Sequence, residues 1–301
     1  MKRSTSKKLQ QKYVYTVLSA MLVAIALTVS FFVKDIDPVV EVVHYTDYPF
    51  YVTFIDVGQG DCELISCNGV NILVDGGEAR NSQMVINYMK HLEIEKLDCY
   101  IATHPHSDHI GAASAILSEI PCDKVFTTYF SEFNIPTSDL YENFIDTIYD
   151  NSIEAVAVEA GDEYVFGDLK INIHAPLIES EDYNEMSIVF TATYGETSVL
   201  FTGDTTVEVE KQMLESEYYE DVDVLKVAHH GSTTSSYEAY ISAVLPEYAV
   251  ISCGEGNSYG HPHDEIIELF DNKGIRYLRT DEYGSVVCYS DGKSYKVEAI
   301  G

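Results

Sequence analysis

Four metal-ligand side chains crowd into six residues, His104-Pro105-His106-Ser107-Asp108-His109, directly after the apolar run Asp98–Thr103. This hexapeptide limits the backbone that can carry it. On a helix, successive side chains turn by about 100°, which scatters the four around the axis. On a strand, His104, His106 and Asp108 share one face and His109 opposes them. Pro105 also pushes His104 out of the α region. A loop at a strand end is the conformation that lets all four converge. Imidazole and carboxylate together suit zinc or a similar divalent cation. The plain alternative is a solvated polar loop, and four such residues in six after an apolar strand argue against it.

Two more strand ends carry the same residue types. Val199-Leu200-Phe201 leads into Thr202-Gly203-Asp204, and Leu225-Lys226-Val227-Ala228 leads into His229-His230-Gly231-Ser232. Gly203 lets the backbone approach closely and delivers Asp204 at a sheet rim. Alone, this pair would read as a turn. A third pair, His261-Pro262-His263, follows, so seven of the ten histidines fall in three short clusters. His44 and His91 are isolated and read as surface or packing residues. His174 ends a strand and reads as structural unless it reaches a cleft. Three separate strand ends presenting His or Asp are what a rim-mounted metal site needs.

The rest of the body mixes strand runs with strand–helix alternation. Strands are expected at 51–56, 62–66, 71–75, 98–103, 169–174, 186–193, 197–202, 222–228, 248–252, 274–279, 284–289 and 294–298. Helices are expected at 82–92, 110–118, 138–149, 206–216, 235–244 and 264–271. This pattern predicts an α+β architecture of two mixed sheets with helices outside. No Gly/Ser-rich linker interrupts residues 49–301, which read as one domain. Segment 127–164, acidic and rich in tyrosine, reads as an insertion: a partner surface, a cover over the site or a solvated helix. The six cysteines have no CxxC spacing, which speaks against a zinc knuckle.

The N-terminus reads differently. Tyr13–Val33 is uncharged throughout and flanked by Lys12 and Lys34. As a helix it reaches about 30 Å, one hydrocarbon thickness. Residues 1–12 form a basic tail that the positive-inside rule leaves in the cytoplasm, sending the body outward. A cleaved signal peptide is the alternative, and the length of the run favours an uncleaved anchor. Residues 34–48 read as a linker or a first edge strand. The chain holds 49 acidic and 18 basic side chains, net −31. Six of the basic ones precede residue 35, so twelve basic face 49 acidic residues beyond it, net −37. Such a body repels polyanions on average. That excludes a general nucleic-acid coat but not a local metal-bearing cleft.

The motifs Phe54–Asp61 (FIDVGQGD), Ile72–Gly77 (ILVDGG), Ala102–Ala112 (ATHPHSDHIGA), Leu200–Asp204 (LFTGD) and Leu225–Ser232 (LKVAHHGS) occur in that order. Together they resemble the metallo-β-lactamase superfamily and, more narrowly, the hydrolase domain of ComEC-type competence proteins. The resemblance spans roughly residues 51–290 and implies a four-layer αββα sandwich with one or two metal ions, Zn²⁺ or else Mn²⁺. By position it assigns His104 and His106 to a first metal, and Asp108, His109 and His230 to a second. Asp204 would bridge the two, and Asp75 would brace the His104–His109 loop. The superfamily often has another first-site histidine before the distal Asp. Here only His174 lies in that interval, with Asn184 near the NxS-type segment of the subgroup, which implies a first site that is weaker or completed by water or substrate.

The chemistry implied is metal-assisted hydrolysis of a phosphate ester or diester. Asp108 counts among the catalytic groups as well as the ligands. His229 and His261 are candidates for proton donation to the leaving group or for phosphate contact. Lys226 is a candidate phosphate contact that could instead point elsewhere. A phosphodiester, with DNA as one form of it, is the implied substrate, at the outer side of the membrane. Three rivals stand beside this reading. One is an exported esterase acting on small or cell-wall phosphoesters of the phosphorylcholine type. Another is a tethered binding module without activity, against which the intact ligand set speaks. The third is a serine hydrolase, suggested by Gly256-Asn257-Ser258-Tyr259-Gly260; no histidine follows His263, so the required order of Asp and then His after the serine is not met.

Overall fold

In a computed structural model, which describes residues 44–300, the strands alternate between two apolar environments. In β1 (Phe50–Phe54), Phe50, Val52 and Phe54 point one way and Tyr51 the other. The same division runs through β2 (Cys62–Cys67), β3 (Val70–Asp75), β4 (Cys99–Ile101) and β5 (Lys124–Thr127). Strands β6 (Glu154–Ala157), β14 (Val286–Ser290) and β15 (Tyr295–Ala299) complete an eight-stranded sheet in the order β15-β14-β1-β2-β3-β4-β5-β6.

A second sheet has seven strands. These are β7 (Glu163–Phe166), β8 (Leu169–Ala175), β9 (Val189–Tyr194), β10 (Thr197–Phe201), β11 (Val224–Lys226), β12 (Tyr248–Ile251) and β13 (Arg276–Arg279), in the order β13-β12-β11-β10-β9-β8-β7. One face of each sheet meets the other across a shared core that includes Phe54, Ile101, Phe126, Phe190 and Phe201. Period-two alternation with both faces apolar is what a sheet covered on both sides requires.

Helices cover the outer faces. The first, α1 (Ser82–His91), lays Val85, Ile86 and Met89 on the first sheet. It is joined there by α2 (Ser107–Ile110), α3 (Ala113–Glu119) and α4 (Asp139–Asp150). On the second sheet lie α5 (Val207–Glu215), α6 (Glu238–Val244) and α7 (Asp264–Lys273), anchored by Met213, Ile241 and Phe270. A short α8 (Thr280–Tyr283) follows β13. Helix, sheet, sheet and helix make the four layers of the expected sandwich.

This arrangement places the site. Neighbours β3 to β6 run parallel, as do β10 to β13. Ligand-type residues follow the carboxyl ends of β3, β4, β10, β11 and β12, where open α/β sheets leave a crevice.

Several expectations change. The helix expected from residue 110 is two pieces, and the first begins at Ser107, so Asp108 and His109 sit on a helical turn. Segment 127–164 is no mere insertion: α4 buries Phe144 and Ile148 in the core, and two edge strands follow. Tyr45–Asp47 is a 3₁₀ turn, and the first sheet ends instead on β15 and β6. All six cysteines are unpaired, five of them buried. The run 13–33, expected from sequence to span a membrane, lies outside the described residues. Among the described residues, no helix is long and apolar enough to cross a membrane.

Candidate metal centre

His104 and His109 reach one point from opposite ends of the loop after β4. His104 Nε2 lies 3.9 Å from Asp204 Oδ2, and His109 Nε2 lies 3.3 Å from Asp204 Oδ1. Gly203 delivers that carboxylate with φ of 48°, packed against Thr103 and Ser187. From the second sheet, His230 Nε2 stands 3.4 Å from Asp108 Oδ2 and 3.6 Å from Asp204 Oδ1. The groups His104/His109/Asp204 and Asp108/His109/His230 each bring three ligand-type atoms within 4.8 Å of one another. His106 lines the same cleft but stands apart from these triads, with Nδ1 3.0 Å from His104 Nε2.

The backs of the rings are held. Asp75 accepts from the Thr103 amide at 2.9 Å and the Thr103 hydroxyl at 2.6 Å, and lies 2.8 Å from His109 Nδ1. It therefore braces the loop as the resemblance implied. His230 Nδ1 lies 2.9 Å from the Ser252 carbonyl. Both His229 and His230 have left-handed backbones, with φ of 48° and 55°. Non-glycine residues adopt that conformation at a cost, and such outliers concentrate at functional sites.

The fronts of the rings are not held. His109 Nε2, His230 Nε2 and Asp204 Oδ1 are buried without a hydrogen-bond partner. Buried polar atoms are rarely left so. Three orphans converging in ligand geometry fit a divalent cation.

The electrostatics agree. Burial pushes the His109 and His230 rings toward neutrality, yet the surrounding carboxylates win. His109 is held well above the usual imidazole range by Asp204 and Asp75, and His230 is raised to about 10 by Asp204 and Asp61. Burial likewise disfavours ionised Asp204, but His230 and His109 hold it well below the usual range. The pocket thus favours positive charge. His104 differs: burial and the neighbouring His109 keep it neutral.

A cleft of about 300 Å³ opens over these groups, lined also by Gln59, Asn184, His229, Tyr259 and His261. His229 Nε2 lies 3.7 Å from Asp204 Oδ2, with Nδ1 2.9 Å from Thr234 Oγ1. The His261 imidazole is lowered to about 4 by burial and, after that, by the neighbouring His230 charge. Tyr259 stacks on it at 5.6 Å.

His174 lies elsewhere. Its Nε2 is 2.8 Å from Thr191 Oγ1 and 3.4 Å from Glu220 Oε1, in a separate pocket. Asn184 is the member of that interval that faces the cleft, with a buried Oδ1 lacking a partner. Lys226 is not a phosphate contact: it is 1 % exposed and paired with Asp61 behind the site. Asp61 was assigned no role from sequence, although it closes the FIDVGQGD motif. Ser258 sits on an exposed loop rather than a strand-to-helix elbow.

Paired sheets, outer helices and a His/Asp rim define a class of metal-dependent hydrolases. Residues 55–255 match the metallo-β-lactamase superfamily, and the chain belongs to it. It is 29% identical over 256 residues to ComE operon protein 3 of Bacillus subtilis, covering 78% of this chain and 32% of that protein. It is 32% identical over 226 residues to Recombination protein 2 of Haemophilus influenzae, covering 72% and 26%. The chain thus spans about a third or less of the length of these relatives. Among solved structures, the metallo-β-lactamase fold protein YhfI of Bacillus subtilis aligns with a TM-score of 0.54 at 13% identity, over 83% of this chain and 100% of that one. CmlA, a diiron β-hydroxylase of Streptomyces venezuelae, aligns with a TM-score of 0.53 at 13% identity, over 84% and 54%. At those identities the likeness establishes the fold alone.

Proposed function

We propose that this protein is a metal-dependent phosphodiesterase, held at the membrane by residues 13–33 with its body on the outer side, and that DNA is its substrate, as the resemblance to ComEC-type competence proteins implies. One observation carries the reading: the orphaned Nε2 atoms of His109 and His230 and Oδ1 of Asp204 converge under an open cleft. His104 and Asp204, with His106 alongside, would hold one ion; Asp108 and His230 with Asp204 would hold another; His109 stands between them. A divalent cation, Zn²⁺ or Mn²⁺, supplies Lewis-acid activation of water and offsets charge on the phosphoryl oxygens.

The chain's own residues do the rest. Asp75 and the Ser252 carbonyl fix the faces that His109 and His230 present. His229 and His261 are kept toward the neutral form by burial, so each offers a ring nitrogen to hydrogen-bond a phosphoryl or leaving-group oxygen. The Asn184 amide faces the same space.

The test measures metal per chain on the purified full-length protein, then assays bis(p-nitrophenyl) phosphate and single-stranded DNA before and after chelation. Bound metal with chelator-sensitive cleavage of DNA is expected. No metal, no restoration by Zn²⁺ or Mn²⁺ and no turnover would instead favour a tethered binding module. A second reading, an esterase for small zwitterionic phosphoesters, is favoured by the cleft lining, which includes no Lys or Arg among the described residues. Phosphate backbones are ordinarily gripped by those cations. Turnover of a phosphorylcholine ester well above that of DNA and of anionic diesters would select it.

A further inference from the structure

Behind the cleft lies a charged pair that the proposed chemistry does not use. Asp61 precedes β2 and Lys226 ends β11; both are 1 % exposed and form a direct ion pair. Asp61 turns its other oxygen, Oδ1, to within 3.3 Å of His230 Nδ1, where it has no hydrogen-bond partner. Its Oδ2 lies 3.8 Å from His109 Nδ1. The opposite nitrogens of those two rings face Asp204 at 3.3 Å and 3.6 Å. Asp61 therefore stands behind two of the rings that front the cleft.

Stability alone gives little reason to keep such a pair. Apolar residues of similar volume commonly stabilise a core as well or better than a buried ion pair. Groups behind metal-binding imidazoles fix ring orientation and raise basicity; Asp75 and the Ser252 carbonyl take the Nδ1 hydrogen bonds of His109 and His230, and Asp61 adds a negative charge behind both rings. Lys226 makes the Asp61 charge tolerable in a region that also buries Glu63, Asp75 and Asp204, since an unpaired buried charge is costly.

We infer that Asp61 and Lys226 are positioning residues: a buried ion pair that stands behind His109 and His230, reinforces the orientation that Asp75 and the Ser252 carbonyl give the two rings, and so raises the affinity of the cleft for a divalent cation. This rests on the reading of the cleft as a metal centre. The test measures Co²⁺ binding to the full-length protein by visible absorption and by competition with a chelator. It compares wild type, Asp61→Asn and the double variant Lys226→Met/Asp61→Asn, with melting temperatures alongside. The double variant leaves no unpaired charge and is expected to melt close to wild type, while its Co²⁺ affinity falls about 10–100-fold and its absorption bands move. Asp61→Asn, which keeps the side-chain shape, is expected to lose affinity similarly; Lys226→Arg, which keeps the charge, is expected to retain it. A folded variant with wild-type affinity and bands overturns the inference and leaves the metal-centre reading intact. Wild-type protein that binds no Co²⁺ overturns both. If neither variant folds, the pair is a stability element and the positioning role falls.

Discussion

Gly60 shows how closely the site loops are stacked. Its φ is 135°, and a Cβ there would lie 2.3 Å from the backbone oxygen of Asp108, which accepts from the Asp61 amide at 3.1 Å. Gly60→Ala must therefore displace the turn that carries Asp108 and His109. It is expected to cost about 2 kcal/mol or more, with reduced metal per chain, read from denaturant midpoints and elemental analysis. Asp204→Asn separates charge from shape. The amide fits the same space but loses the charge facing His104, His109 and His230. Metal affinity is expected to fall beyond the roughly 10–100-fold that loss of a supporting group costs, measured at fixed free metal; wild-type occupancy would remove Asp204 from the ligand set. At this scale the ligand-rich hexapeptide was legible because its donors are neighbours in sequence. Asp61 was not, because its partner Lys226 is 165 positions away: Asp61 alone reads as an ordinary turn residue, and Lys226 beside the His229-His230 cluster reads as a phosphate contact.

Glu210 links two helices. From α5 it accepts from the amides of Ser236 and Tyr237 at 2.9 Å and 2.6 Å, just before α6 begins. Burial nevertheless raises its carboxyl from 4.5 to about 7, against the lowering effect of those amides. A raised folded value means the native state holds the proton more tightly than the unfolded chain. The contribution is therefore complete below about pH 4.5 and lost as pH rises through 7. A shift of that size corresponds to about 3 kcal/mol. Glu210→Gln should remove that dependence, so the stability gap between wild type and variant should narrow from pH 5 to pH 8 in urea titrations. A gap that widens would show that the ionised carboxylate is the preferred native form. Elements with a buried face were readable for the same reason that they are stable: Phe50–Phe54 and Thr197–Phe201 display their apolar character directly. Edge strands Glu154–Ala157 and Glu163–Phe166 escaped, since each is only four residues long and its side chains are exposed or half-buried. His174 was ambiguous from sequence because Glu220, which occupies it, belongs to a distant loop.

Charge acts on the molecule as a whole. Beyond residue 34 the chain carries −37, and no Lys or Arg lines the cleft among the described residues. A DNA-binding surface that neutralises phosphates loses affinity steeply as salt rises, by roughly 10³–10⁵ between 50 and 200 mM for 6–10 phosphate contacts. Here the long-range term has the opposite sign. Salt screens repulsion between an acidic body and a polyanion, while attraction is confined to the cations that the His/Asp cluster would hold. The kcat/KM for single-stranded DNA is therefore expected to rise severalfold over that salt range at saturating metal. The value for bis(p-nitrophenyl) phosphate, which carries a single charge, should change far less. The ratio of the two slopes isolates the field of the body from the chemistry of the cleft. A fall of tenfold or more for DNA alone would mean that a cationic strip outside the described cleft draws the strand in, and would overturn this electrostatic account while leaving the metal centre in place.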